Sequence, residues 1–119
     1  KVDNKESVVL WGDGSPLREF LHVDDLAKAV FFSLQHQLEN HLYNIGSEDE
    51  ISILELSQLV AKIIGYKGKV NWDSSFPNGT PRKKLDSTRF TKVGWKPSVS
   101  LEKGIIDTYH EYKLSLGEI

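Results

Sequence analysis

Between residues 11 and 27 the chain reads Trp11-Gly12-Asp13-Gly14-Ser15-Pro16-Leu17-Arg18-Glu19-Phe20-Leu21-His22-Val23-Asp24-Asp25-Leu26-Ala27, and no other stretch narrows the fold as much. Gly12 to Pro16 is a dense cluster of turn formers that stops the β-rich run Ser7-Val8-Val9-Leu10. Glu19 to Val23 reads as a returning strand. Asp24 and Asp25 follow where a helix N-terminus favours negative charge. Strand, tight turn, strand and acid-led helix in so short a span predict a mixed α/β domain that exposes one arginine just past a glycine turn.

The helix expected from about Asp24 to Gln35 is apolar nearly all round: Leu26, Ala27, Ala29, Val30, Phe31, Phe32 and Leu34, interrupted by Lys28 and Ser33. A surface helix shows a single apolar stripe, so this one calls for burial on two sides and hints at a missing neighbour. Leu42 to Ile45 reads as a short strand, and Gly46 to Glu50 as a polar loop. Ser52-Ile53-Leu54-Glu55 has the form of a capping box, opening a helix whose face is Ile53, Leu56, Val60 and Ile63-Ile64 and which ends at Gly65. Lys69 to Trp72 alternates like a strand, and Ser74 to Asp86 is a long polar connection. Thr88 to Val93 forms a short helical turn closed by Gly94 and Pro97. Ser100 caps a last helix with Leu101, Ile105, Tyr109 and Tyr112 on its apolar face. The expectation is one domain over residues 1–119, with three main helices and short strands.

At 119 residues the chain is long enough for a hydrophobic core. Its net charge of -2 implies no basic face, which argues against nucleic acid as a partner. With no cysteine, neither disulfides nor a thiolate zinc site can form, and a reducing cytosol is compatible. No apolar run approaches the roughly 20 residues of a membrane span, and Lys1 does not open a signal peptide. The chain also has no methionine, including at position 1, so it is expected to be processed or part of something longer.

Arg18 can clamp a diphosphate with two parallel hydrogen bonds, a geometry for which guanidinium is better suited than ammonium. The competing reading is a surface arginine paired with Glu19 or Asp24. Arg82-Lys83-Lys84 is a second basic cluster, and such triplets are usually solvated. Here Gly79 and Pro81 fix the flanking backbone, and if this loop folds beside the first, Arg18 and Lys83 grip one anion from two sides. Each close charge pair contributes about 4 kcal/mol of Coulomb energy near a surface, before desolvation. Trp11 precedes the turn, where its ring either stacks on a sugar or base or is simply packed. The four histidines show no metal-ligand spacing. Tyr109-His110-Glu111-Tyr112-Lys113 matches a Tyr-x-x-x-Lys proton-transfer pair, but Tyr109 continues an apolar stripe, so a core tyrosine beside a solvated lysine is expected. No Gly-x-Gly-x-x-Gly follows a strand, so no nicotinamide site can be built from these residues.

The segment Val8 to Ala27 resembles part of the GDP-L-fucose synthase family of extended short-chain dehydrogenase/reductases. So do Tyr43-Asn44-Ile45-Gly46-Ser47, Ile53-Leu54-Glu55-Leu56, Gly65-Tyr66-Lys67-Gly68, Pro77-Asn78-Gly79-Thr80-Pro81-Arg82-Lys83, Leu85-Asp86, Gly94-Trp95 and Ser100 to Ile105. The resemblance implies the C-terminal substrate-binding part of an enzyme that epimerises GDP-4-keto-6-deoxy-mannose at two carbons and reduces it with NADPH. It implies that Trp11 and Arg18 contact the GDP-sugar, with Arg18 and Lys83 at the diphosphate. Asn78 stands where better-known members carry a substrate-binding aspartate; it keeps an acceptor and loses the charge. The NADPH-binding Rossmann domain and the catalytic residues would lie outside this chain. The chain alone would then be inactive, with its own Rossmann domain as partner in a cytoplasmic homodimer. Two alternatives remain: the substrate domain of another nucleotide-sugar epimerase or dehydratase, and a stand-alone binding module without chemistry.

Overall fold

The computed structural model describes residues 6–117; Lys1, read above as opening no signal peptide, lies outside them. Among the described residues nine elements follow in order: β1 (Ser7–Trp11), β2 (Leu17–Glu19), α1 (Val23–Gln35), β3 (Glu50–Ser52), α2 (Ile53–Ile64), β4 (Lys69–Asp73), β5 (Arg82–Lys83), α3 (Thr88–Lys92) and α4 (Leu101–Ser115). The expected mixed α/β architecture is present, with α1, α2 and α4 as the three main helices.

The strands form two small sheets. β1 and β4 pair in parallel, with Trp11 opposite Asp73. The second sheet has the order β3-β2-β5, β2 running antiparallel to β3 and parallel to β5. The glycine turn joins the two sheets. Gly12 and Gly14 both have positive φ, 82° and 78°. A Cβ at Gly14 would also lie 2.7 Å from the Trp72 ring and 2.9 Å from Leu54 Cβ. Glycine is therefore demanded by conformation and by space.

The caps read from sequence are in place. Ser52 Oγ accepts from Glu55 N at 3.1 Å, and the Glu55 carboxylate accepts from Ser52 N at 3.0 Å. Gly65 closes α2 with φ 71°, and Ser100 caps α4 through Lys103 N. The cap of α1 was not expected: His22 Nδ1 accepts from Asp24 N at 3.3 Å.

The core is small and aromatic. Ala29 of α1, Phe90 of α3 and Trp95 are buried, and Leu21, Phe32, Leu38, Tyr43 and Ile45 pack around them. Phe90 is its hub, with ring centroids 5.3 Å from Trp95, 5.6 Å from Tyr43 and 5.7 Å from Phe32. Leu42 to Ile45 is not a strand. Tyr43 and Ile45 point into this core as the alternation requires, but the segment makes no ladder with any described strand. Conversely, β5 lies in a stretch that reads as loop, and β3 runs from the end of the Gly46–Glu50 loop to the N-cap Ser52; each is only long enough to pair with β2.

Helix α1 is only half covered. Its inner side carries Ala29 and Asp25; outside, Phe31 is 62% and Leu34 80% exposed, and Val23, Leu26 and Val30 are exposed beside them. The reading that this helix needs a second covering layer agrees with that surface. Asp25, 1% exposed, straps α1 to the distant Ser98–Val99 segment. Its carboxylate accepts from Ser98 N and Val99 N, each at 2.8 Å, and from Ser98 Oγ at 2.7 Å, with Lys28 Nζ 3.5 Å away.

Candidate anion site on the central sheet

Strand pairing sorts the basic residues. Arg18 is the register partner of Lys83 on one side and of Ile51 on the other. Register partners point to the same face of a sheet, so Arg18 and Lys83 stand side by side on one face. Leu17, Glu19, Glu50, Ser52 and Arg82 occupy the other.

Arg82 is tied down on that second face, bonded through two guanidinium nitrogens to the Glu50 carboxylate. This contact holds the Glu50 pKa below its ordinary value and raises that of Arg82. Lys84 donates to Glu48 O at 2.7 Å and lies 3.9 Å from Glu50. Glu19 accepts from Glu48 N and Leu85 N, stitching the loop to β2. The basic triplet therefore divides: Arg82 and Lys84 are structural, and Lys83 is exposed with no ion pair among the described residues.

Arg18 is half-buried, and among the described residues its side chain donates only to the carbonyl of Leu17, at 2.6 Å. The pairing with Glu19 or Asp24 that sequence left open is absent among the described residues. Two adjacent cations on one sheet face, both without an ion pair among the described residues, form an arrangement suited to a multiply charged anion.

The two loops run side by side from Asp13 to Arg18. Asn78 Oδ1 accepts from Asp13 N at 2.8 Å, Leu17 N donates to Pro81 O at 2.9 Å, and the β2–β5 pairing follows. Asn78 is thus engaged with the turn, and a Cβ at Gly12 would collide with its Oδ1. The Asp13 carboxyl is held below its usual pKa by the Ser15 N–H, then by the Ser15 and Asn78 side chains. Trp11, at the end of β1, is 71% exposed and stacks on Phe76 with ring centroids 4.5 Å apart and planes 9° from parallel. The structure therefore brings Trp11 and Asn78 to the glycine turn and sets Arg18 beside Lys83 further along the same pair of loops. Phe76 was not singled out from sequence; its only signal was an aromatic residue in an otherwise polar connection.

The Tyr-x-x-x-Lys pattern has a different setting. Tyr109 lines an apolar groove of about 430 Å³ with Ile105, Tyr112, Val60 and Ile64. Lys113 Nζ lies over the Tyr109 ring, 5.1 Å from its centroid. The cation meets the ring face, a packing contact. Lys113 is half-buried there, less solvated than expected.

Residues 1–46 match the NAD dependent epimerase/dehydratase family. The chain is 52% identical over 112 residues to the probable GDP-L-fucose synthase 1 of Oryza sativa subsp. japonica, covering 94% of this chain and 34% of the relative. It is 48% identical over 118 residues to the GDP-L-fucose synthase of Escherichia coli K12, covering 91% and 36%. Among solved structures, a GDP-6-OMe-4-keto-L-xylo-heptose reductase from C. jejuni superimposes with a TM-score of 0.85 at 31% identity, over 92% of this chain and 34% of the other. The chain thus spans about a third of the length of the curated relatives it matches.

Proposed function

Since the chain belongs to the NAD dependent epimerase/dehydratase family, we propose that it is the C-terminal, GDP-sugar-binding part of a GDP-L-fucose synthase. The whole enzyme would take GDP-4-keto-6-deoxy-mannose through epimerisation at two carbons and reduction by NADPH to GDP-L-fucose. The observation that carries this reading is the Arg18–Lys83 register pair, without an ion pair among the described residues, in a chain about half identical to such synthases.

In this reading Arg18 and Lys83 hold the diphosphate, and Trp11 offers its exposed ring to the nucleotide-sugar. Asn78 contributes through its carboxamide, whose Oδ1 also holds Asp13 N. Anchoring the diphosphate fixes where the sugar lies, and positioning of that kind is what a substrate-binding part supplies to catalysis elsewhere. The glycine turn does not have the form of a dinucleotide site. The glycine turn runs into strand β2 rather than a helix N-terminus, which is where a pyrophosphate is cradled. NADPH and the catalytic groups are assigned to the two-thirds of the protein that these residues do not span.

The outer face of α1 and the unpaired Leu42–Ile45 segment support the same division. The first leaves apolar side chains exposed and the second pairs with no described strand, and an N-terminal Rossmann domain is the proposed partner of both. Expressed alone, the 119-residue chain should bind an apolar dye strongly or self-associate, and a dye-silent monomer would count against a missing domain. The resemblance adds a cytoplasmic homodimer, which sedimentation of the full-length protein checks.

The function is tested by giving the full-length protein GDP-4-keto-6-deoxy-mannose and NADPH. The expected result is NADPH consumption with GDP-L-fucose as product, and no consumption by the isolated chain. Reduction without epimerisation would instead assign it to a related GDP-sugar reductase, and inertness of the full-length protein would overturn the reading.

A further inference from the structure

Phe76 reaches Trp11 through a specific local device. Trp11 is the register partner of Asp73, the last residue of β4. The Asp73 carboxylate accepts from Ser75 N at 3.0 Å and from Ser75 Oγ at 2.6 Å, and its carbonyl accepts from Phe76 N at 3.3 Å and Gly12 N at 2.9 Å. This side-chain-closed turn folds the chain back at the end of β4 and lays the Phe76 ring on the indole. Two residues on, Asn78 bonds Asp13 N, so the loop is pinned on both sides of the glycine turn. Despite the near-parallel stack, Trp11 remains 71% exposed. One face of the indole rests on Phe76 and the other is open.

We propose that Phe76 is a positioning residue for ligand recognition: it fixes the plane of Trp11 so that the open indole face receives a ring of the bound nucleotide-sugar. This rests on the reading of Trp11 as a substrate contact. A ring held in one orientation loses less freedom on binding than a mobile one. Its π-face accepts either a flat base or the C–H face of a hexose. The contact would lie at the glycine-turn end of the paired loops, with the Arg18–Lys83 anion grip further along them. Residue 76 would then set how firmly the ring next to the diphosphate is held.

The test uses Phe76→Leu and Phe76→Tyr in the full-length protein, titrated calorimetrically with GDP-L-fucose and with GDP. Phe76→Leu is expected to raise the GDP-L-fucose Kd by about three- to tenfold, while Phe76→Tyr stays close to the parent. The loss should vanish in a Trp11→Leu background, which a merely structural role would not produce. A loss shared by GDP makes the stacked ring the base; a loss confined to GDP-L-fucose makes it the hexose. Without ligand, acrylamide quenching of the Trp11 emission, taken by difference from Trp11→Leu, should rise in Phe76→Leu. An unchanged Kd, an equal loss without Trp11, or unchanged quenching would overturn the proposal. Should the parent bind neither nucleotide, the functional reading falls, and the quenching comparison still decides whether Phe76 holds Trp11.

Discussion

Replacing Asp25 by alanine is expected to destabilise the fold by about 3–5 kcal/mol, the cost of breaking a buried hydrogen-bonded carboxylate. The side chain is 1% exposed and closes a link between α1 and the segment leading into α4. Its removal leaves Ser98 N and Val99 N without their acceptor and Lys28 without its counter-charge. Urea unfolding of the full-length protein measures the effect, and an unshifted midpoint would show that the strap carries no stability. Asp25→Asn keeps the shape but turns one acceptor into a donor, so a smaller loss is expected.

The same contacts give a pH signature. Burial acts to raise the Asp25 pKa, but the bonds from Val99 N, Ser98 Oγ and Ser98 N, helped by Lys28, outweigh it, and the net shift is below the ordinary 3.8. A carboxyl depressed in the folded state stabilises above its unfolded pKa, and the gain fades as pH falls through the folded value. Stability should therefore drop with acidification below about pH 4, less steeply in Asp25→Asn.

The second large effect is on binding. Arg18→Ala is expected to weaken GDP-L-fucose binding by about 2 kcal/mol, as for a charged donor to a diphosphate. Lys83→Ala, at an exposed position, should cost about 1 kcal/mol. The double variant should depart from the additive sum of about 3 kcal/mol, because both residues face one anion and their contributions couple. Titration calorimetry reads these losses. The melting temperature should hardly move, since among the described residues the Arg18 side chain bonds only its neighbour's carbonyl and that of Lys83 makes no ion pair. A thermal loss as large as the binding loss would mean that the pair is structural.

What was legible in the sequence follows the range of each interaction. The Ser52–Glu55 box, the Gly65 stop and the Ser100 cap are closed within a few residues, and each is as read. The two-sided apolarity of α1 was legible too, because composition on a helix surface is local. Strands β3 and β5 were not, since pairs and triplets of residues become strands only through β2. Leu42–Ile45 failed the other way: its alternation satisfies the core but finds no described partner. Asp25 was read as helix-end charge, because Ser98 and Val99 lie more than 70 positions away.

At the candidate site, the adjacency of Arg18 and Lys83 was expected only if two loops met, and the β2–β5 register places them together. The separation of Lys83 from its neighbours was not foreseen. In an extended segment alternate residues face opposite ways, so Arg82 and Lys84 turn to Glu50 and Glu48 while Lys83 turns to Arg18. Reading residues 82–84 as strand would have separated them. Phe76 needed the Asp73 turn, whose consequence is a ring contact 65 positions away in the chain.

Arg18 and Lys83 are proposed to recognise one diphosphate. The most direct test compares GDP with guanosine on the full-length protein, in the parent and in an Arg18→Gln/Lys83→Gln double variant. The parent should prefer GDP strongly, and in the double variant that preference should collapse while guanosine binding is unchanged. A double variant that keeps the parent's preference for GDP would rule out a diphosphate grip by this pair.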